Sequence, residues 1–242
     1  MLQVRKADTI HREQGGWFDA RWHFSFDHYR DPEQMGVGPL RVFNDDRLEP
    51  AAVWPMHPHA DVEGITYVVE GHFGHADSIG GGGVLEPGGV QRMSLGSGAR
   101  HSEQNAAWDE PLRFIQFWLL PDTPSLEPEL EQRQFTRDDF RGGLRQVLGP
   151  GEGDYVKVHQ DGTAWVAVLE AGESATHALP AGRGAYLYVL DGQAALGEEA
   201  LAAGDAVKAE GPETLTVTAV EGAHLLLVDV PLEFERVGVW SR

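Results

Sequence analysis

The sequence contains no cysteine among its 242 residues. Disulfides, zinc fingers, iron–sulfur clusters and thiolate catalysis are therefore excluded, and any bound metal must be held by nitrogen and oxygen atoms. Basic residues are also scarce, because 19 lysines and arginines stand against 38 aspartates and glutamates, a formal net charge of −19. Such a charge repels phosphate backbones, so we expect no direct binding to nucleic acid.

Long apolar runs are missing as well. No stretch approaches the ~18 consecutive apolar residues of a membrane-spanning helix. The N-terminal segment MLQVRKADTIHREQGG has no apolar run suited to a signal peptide. We therefore expect a soluble cytoplasmic protein that does not associate with a membrane.

Glycine and proline are abundant, with 30 and 14 residues, and few long stretches carry a helical period. Short apolar runs instead alternate with turn residues, which predicts an all-β fold of many short strands. The strand–turn rhythm of residues 66–90 returns in residues 186–207, and this indicates an internal duplication. Residues 121–134, with three prolines and several acidic residues, are predicted to link a domain of residues 1–120 to one of residues 135–242.

The segment WPMHPHADVE at residues 54–63 is the most informative part of the chain. Side chains two apart in a strand share a face, so His57, His59 and Glu63 are predicted to point the same way. Pro58 lies between the histidines and removes a donor from the strand ladder. We therefore expect this strand at a sheet edge or at a bulge.

A second element offers the remaining metal ligands. His101 and Glu103 lie two apart and share a strand face by the same rule. Two strands thus supply three imidazoles and a carboxylate, a set suited to one divalent first-row transition metal. The spacing alone leaves open whether Glu63 or Glu103 is the carboxylate ligand.

These two elements resemble the two sequence motifs of the cupin superfamily, and residues 17–121 resemble the pirin family. The segments that carry the resemblance are HFSF at 23–26, MGVGPLRV at 35–42, NDDR at 44–47, HPH at 57–59, ITYV at 65–68, QRM at 91–93 and HSE at 101–103. The second half matches only in its strand rhythm.

The resemblance implies a bicupin, that is, two jelly-roll-type β-barrels packed face to face, with metal in the N-terminal barrel only. It implies His57, His59, His101 and Glu103 as ligands, with Glu63 as a supporting group or proton acceptor. Fe(II) is the first candidate metal, and Zn, Mn, Ni, Co and Cu are further candidates. It also implies a monomer.

The function implied is that of a quercetin 2,3-dioxygenase, which uses dioxygen to open the central ring of flavonols and releases carbon monoxide. Glu103 or Glu63 would then accept the proton of the flavonol hydroxyl group. An alternative is a non-enzymatic, metal-dependent regulatory protein that acts through protein partners. A third option, isomerisation of a sugar or keto acid, needs basic groups near the metal, where only Arg92 and Arg100 are found.

Two further groups of residues have alternative interpretations. The aromatic residues Trp22, Phe24, Phe26 and Trp54 either line an apolar substrate pocket or form barrel core. In the second half, His177 is the one histidine at a position matching the first motif, and no second His-x-Glu follows. We expect His177 to be an ordinary surface residue and the C-terminal domain to be structural.

Overall fold

The structure, a computed structural model, describes residues 2–241 as 20 β-strands and three short 3₁₀ turns. The strands of the first half are β1 (Leu2–Arg5), β2 (His11–Gln14), β3 (Phe18–Trp22), β4 (Leu40–Leu48), β5 (Val53–His59), β6 (Glu63–Glu70), β7 (Phe73–Asp77), β8 (Gly82–Leu85), β9 (Gly89–Ser94), β10 (Ala99–Asn105), β11 (Leu112–Leu119) and β12 (Glu129–Gln134).

The second half continues the pattern. Its strands are β13 (Arg145–Gly149), β14 (Val156–Lys157), β15 (Thr163–Glu170), β16 (Ser174–Leu179), β17 (Arg183–Leu196), β18 (Glu199–Ala202), β19 (Ala206–Glu210) and β20 (Glu213–Pro231). The 3₁₀ turns cover Ala7–Thr9, Arg137–Phe140 and Gly238–Trp240. No helix within residues 2–241 is long and apolar enough to cross a membrane.

The first half forms two sheets. One has seven strands in the order β12-β9-β6-β11-β4-β3-β2, and the other has four in the order β5-β10-β7-β8. The second half forms one sheet in the order β1-β19-β17-β20-β15-β13-β14, with β16 and β18 paired to the long strands β20 and β17. An apolar core fills its interior, and a further apolar core joins the halves. The prediction of an all-β fold of two jelly-roll-type domains packed face to face is confirmed.

Strands β6 and β17 lie where the two domains meet. Ile65 and Tyr67 on β6 pack with Tyr186 and Tyr188 on β17 in the core between the domains, and all four are buried. Alternate residues of a strand face opposite sides of the sheet. The odd-numbered residues at the start of β6 therefore face the other domain, and the even-numbered ones face the interior of their own.

Two tyrosine–histidine hydrogen bonds cross this interface in opposite senses. Tyr67 Oη of the first half lies 2.8 Å from His224 Nε2 of the second, and Tyr186 Oη of the second lies 2.7 Å from His23 Nδ1 of the first. Burial lowers the pKa of both His23 and His224 to about 3. Both imidazoles are therefore neutral in the folded protein at ordinary pH.

Two short strands lie outside the domain boundaries expected from the sequence. Strand β1, predicted in the first domain, pairs with β19 of the second, with Leu2 opposite Ala209. Strand β12, predicted as part of the linker, pairs with β9, with Glu129 opposite Ser94. Residues 129–134 are thus part of the seven-stranded sheet rather than a free connection. Both strands cover sheet edges, where unpaired backbone groups would otherwise lie exposed.

Candidate metal centre

The two predicted ligand segments are neighbours in the four-stranded sheet. Strand β5 pairs antiparallel with β10, with His57 opposite His101 and His59 opposite Ala99. The register shifts by a bulge between His101 and Glu103. Strand β5 is the edge strand of this sheet, as Pro58 predicts. The edge position and the bulge together bring residues distant in sequence onto one face.

Three imidazoles converge at this point. One ring nitrogen from each of His57, His59 and His101 lies within 4.8 Å of the other two. His57 Nδ1 lies 2.8 Å from the carbonyl oxygen of Pro55, so donation to that oxygen leaves Nε2 free to bind a metal. His101 Nε2 is buried and has no hydrogen-bond partner among residues 2–241. Buried polar atoms in proteins are nearly always paired. A buried ring nitrogen without a hydrogen-bond partner, close to two other imidazoles, is therefore suited to bind a metal.

The surroundings keep two of these rings uncharged. Burial, together with the neighbouring imidazoles, lowers the pKa of His59 to about 4 and that of His101 to about 3. A neutral imidazole has a lone pair for metal coordination, whereas a protonated one has none. The cluster can therefore bind a cation at neutral pH without first losing protons from these two rings.

Glu103 lies at the edge of the histidine cluster. Its Oε1 is 3.6 Å from His101 Nδ1 and accepts a hydrogen bond of 2.8 Å from Gln116 Nε2. The side chain is almost fully buried and lines the same cavity as His57 and His59. The site thus consists of three clustered imidazoles with a carboxylate beside them, and this donor set fits a divalent first-row transition metal.

Glu63 does not join this group. The prediction that it shares a strand face with the histidines is wrong, because β5 ends at His59 and β6 begins at Glu63, with Asp61 in a left-handed conformation (φ 50°) between them. Strand β6 belongs to the other sheet, where Glu63 faces the second domain. There its carboxylate accepts hydrogen bonds from Ser94 Oγ (2.8 Å) and from the backbone N–H of His159 (2.8 Å).

The structure adds a histidine that the sequence did not single out. His75 lies on β7, next to β10, and its ring centroid is 5.8 Å from that of His101. Its Nε2 is 3.0 Å from Asp77 Oδ2 and its Nδ1 is 3.1 Å from Gln91 Nε2. Both ring nitrogens thus have partners within the protein, so neither is available to bind a metal. His75 instead packs beside His101. The sequence feature that could have identified His75 is its His-x-Asp spacing to Asp77, because residues two apart share a strand face.

A cavity of about 160 Å³ lies against the histidines. Its walls are largely aromatic. The residues that line it are Trp22, Phe26, Asp27, Asn44, Asp46, Trp54, His57, His59, Glu103, Phe114, Gln116 and Trp118. Of the four aromatic residues with two interpretations, Phe24 is interdomain core and the other three line this cavity. The cavity is therefore suited to a flat, mostly apolar molecule.

One wall of the cavity also carries a buried carboxyl group. Burial, followed by the nearby carboxylate of Asp45, raises the pKa of Asp46 well above that of an ordinary aspartate. Asp45 itself, one residue earlier, faces the second domain and receives two hydrogen bonds from Arg113. Burial by itself would raise the pKa of Asp45, but the hydrogen bonds and charge of Arg113, together with the Tyr188 hydroxyl group, bring this pKa below its ordinary value. Adjacent aspartates on one strand therefore have opposite environments.

The second domain has no comparable cluster among the described residues. His177 lies on β16, but its side chain is only 12% exposed and its Nε2 is 2.7 Å from Asp229 Oδ2. Asp229 also accepts a hydrogen bond of 2.6 Å from Arg183 Nε. The prediction that His177 is an ordinary surface residue is therefore wrong, since it belongs to a partly buried polar triad.

Comparison with known proteins covers both halves of the chain. The family model described as Pirin matches residues 3–119, and that described as Quercetinase C-terminal cupin domain matches residues 148–230. A pirin-like protein of Caulobacter vibrioides is 37% identical over 232 residues, which make up 95% of this chain and 99% of that protein. A quercetin 2,3-dioxygenase of Escherichia coli is 36% identical over 233 residues, or 96% and 99% of the two chains.

A solved structure also matches nearly the whole chain. The crystal structure of the bacterial pirin YhhW from Escherichia coli in complex with nickel(II) has a TM-score of 0.89 and 34% sequence identity. The match covers 96% of this chain and 99% of that chain. The group of three histidines, of which His101 is buried and His57 and His59 are partly exposed, fits the binding of a divalent metal.

Proposed function

Because the chain belongs to the pirin family of the cupin superfamily, we propose that it is a metal-dependent dioxygenase that opens the central ring of flavonols such as quercetin. The observation that carries this proposal is an aromatic-lined cavity bordered by Glu103 and by His57 and His59, two members of the three-histidine cluster. Quercetin is a flat polyphenol that can chelate a metal, so its shape and chemistry match both parts of the cavity. The substrate would be joined by dioxygen.

We assign His57, His59, His101 and Glu103 as ligands of one divalent transition metal. Nitrogen and oxygen donors in this ratio suit Fe(II), our first candidate, and also accept Ni(II), Mn(II), Co(II), Cu(II) or Zn(II). When bound, the metal supplies Lewis acidity that lowers the pKa of a flavonol hydroxyl group, and an electronic path to dioxygen.

The chain's own residues have three tasks in this mechanism. The aromatic side chains of Trp22, Trp54 and Phe114 hold the flat substrate against the histidines and keep bulk water out. The Glu103 carboxylate accepts the hydroxyl proton, since Glu63 is engaged elsewhere. The hydrogen bond from Gln116 fixes the orientation of that carboxylate.

The alternative functions fit the cavity less well. A metal-dependent regulatory protein calls for a sealed metal beside a charged surface, whereas His57 and His59 keep part of their surface exposed to solvent beside an apolar cavity. A cupin isomerase calls for basic groups at the metal. Arg92 is instead held by Glu129 and Glu131, and Arg100 binds the carbonyl oxygen of Met56. No lysine or arginine among residues 2–241 lines the cavity.

The test is reconstitution of metal-free protein under anaerobic conditions with each candidate metal, followed by addition of quercetin and air-saturated buffer. We expect quercetin absorbance to fall with release of one carbon monoxide per quercetin consumed, and we expect no reaction in metal-free protein. The His101→Ala variant should show neither metal binding nor turnover. Absence of turnover with every metal, in protein that does bind metal, would refute the dioxygenase.

A further inference from the structure

A polar strip runs along one wall of the cavity and has no role in the mechanism above. Asn44 and Asp46 alternate on β4 and both line the cavity, together with Trp22, which lies opposite Asn44 on β3. All three side chains are buried, at 4%, 6% and 3% exposed respectively. The strip therefore belongs to the cavity wall rather than to the outer surface.

Each of these three side chains has an unpartnered polar atom. Asn44 Oδ1, Asp46 Oδ1 and Trp22 Nε1 are inaccessible to solvent and have no hydrogen-bond partner among residues 2–241. Buried polar groups in native proteins are nearly always paired, because an unmade hydrogen bond does not return the cost of removing the group from water. None of the three side chains makes a hydrogen bond within residues 2–241, so this wall of the cavity carries polar groups that a ligand can satisfy.

Two polar residues beside the strip contrast with it. Gln116, which lies opposite Asn44 on β11, donates to Glu103, and the neighbouring strand position Asp45 is paired with Arg113. Gln116 and Asp45 are therefore satisfied within the protein, whereas the strip and the indole N–H of Trp118, which also lines the cavity, have no partner among residues 2–241. Two acceptor oxygens and one indole N–H donor match hydroxyl groups, which both donate and accept hydrogen bonds.

We propose that Asn44 and Asp46, with Trp22, form a subsite for hydroxyl groups of an aromatic ring of the substrate other than the hydroxyl group that meets the metal. This inference rests on the proposed function and adds a specificity to it. The site would select polyphenols with hydroxyl groups on an outer ring over the same skeleton without them. A site built to pair hydroxyl groups rejects analogues that lack them, because its own polar atoms then stay unpaired.

The experiment compares two substrates, quercetin and 3-hydroxyflavone, which has the metal-binding hydroxyl but no other. Asn44→Leu and Asp46→Leu keep the branched shape and heavy-atom count of the side chain but remove its hydrogen-bonding atoms. We expect each variant to lower kcat/KM for quercetin about tenfold to hundredfold, mainly through KM, and to leave 3-hydroxyflavone nearly unchanged. Asp46→Asn, which retains a side-chain oxygen, should recover part of the loss.

Asp27→Asn is the matched control, because Asp27 also lines the cavity but its side chain is 73% exposed. It should not distinguish the two substrates. Equal losses for both substrates in the leucine variants, or no loss for either, would overturn the subsite. Metal content and thermal unfolding, measured on each variant, separate such losses from misfolding, and Asp46→Asn serves as the second variant if Asp46→Leu does not fold.

A binding measurement separates the subsite from the dioxygenase. Quenching of tryptophan fluorescence in metal-free protein is titrated with quercetin and with its fully methylated ether. If no flavonol is turned over, tenfold tighter binding of quercetin in the natural protein, abolished in Asp46→Leu, would still support the subsite. Equal binding of the two compounds would refute it.

Discussion

The two halves of this protein share a strand rhythm and differ in what their interiors contain. The interior of the second half is an apolar core built largely of alanine, valine and leucine, such as Leu187, Val189 and Leu225. The first half has histidines, a glutamate and an aromatic-lined cavity instead. The same architecture therefore serves as a packed scaffold or as a site, depending on which inward residues are polar.

The two interiors differ in their effect on the stability of the fold. Burial of apolar side chains stabilises the second half, whereas buried polar groups without partners destabilise the first. At the interface, each half supplies a tyrosine that hydrogen-bonds a histidine of the other. The two halves therefore resemble each other at their interface and differ in their interiors.

The largest effect that this comparison predicts is at the ligand histidines. His101→Ala should weaken metal binding at least about 100-fold, because a lost ligand costs more than the 10–100-fold typical of a lost supporting group. Its counterpart in the second half, His177→Ala, should keep one metal per chain. Elemental analysis after dialysis measures both. Full metal content in His101→Ala would contradict the assignment, as would loss of metal in His177→Ala.

Truncation of a core side chain in the second half should lower stability and leave metal binding unchanged. Leu187→Ala leaves a cavity in the apolar interior and should lower the free energy of unfolding by about 2–5 kcal/mol. Metal content of the folded variant should stay at the natural value, because Leu187 faces away from the first half. Urea unfolding and elemental analysis test the pair of outcomes. Loss of metal from folded Leu187→Ala would show that the second half is not a separate scaffold.

Low pH should destabilise the interface through one buried histidine of each half, His23 and His224. Because the folded-state pKa of His23 and of His224 is about 3, against an ordinary value of 6.5, the unfolded chain takes up protons first as the pH falls. Stability is then complete above pH 6.5 and is lost progressively below it. At pH 5 each histidine should cost about 2 kcal/mol.

The pH dependence is measured by urea unfolding between pH 8 and pH 5. His224→Gln retains a hydrogen-bonding group for Tyr67 and should remove one histidine's share of the acid slope. An unchanged slope in that variant would show that His224 is charged or solvated in the folded protein.

The smallest effect on the site is predicted for Glu63. Glu63→Gln should lower the free energy of unfolding by about 1–3 kcal/mol, because it weakens buried hydrogen bonds to Ser94 and His159. Metal content and quercetin turnover should be unchanged, since Glu63 faces the second domain. Glu103→Gln is the contrasting variant and should reduce both. Loss of metal in Glu63→Gln would restore Glu63 as a ligand.

Much of the site was predictable because strand geometry is local. The spacing of His57 with His59 and of His101 with Glu103 follows from a period of two residues, and Pro58 marks an edge strand without any tertiary information. The all-β class follows equally from turn residues and short apolar runs. The match of the motifs to the pirin family extended these inferences to the fold of both halves.

The failures of prediction are all failures of local reasoning. Glu63 keeps the spacing of a ligand but follows a left-handed turn at Asp61 and enters a different sheet. Residues 129–134 have the composition of a linker yet pair with β9. His177 has no neighbouring motif but is paired with Asp229 through a strand that comes much later in the sequence.

The sequence by itself therefore determined the class of fold, the family and the three histidines, because each depends on residues close together in the chain. Only the tertiary structure decided which carboxylate stands beside those histidines and which aromatic residues line the cavity. It also revealed His75 and the polar strip of Asn44 and Asp46. The physical reason is that a strand's side-chain alternation is set by its own backbone, whereas its neighbours are set by pairing between distant segments.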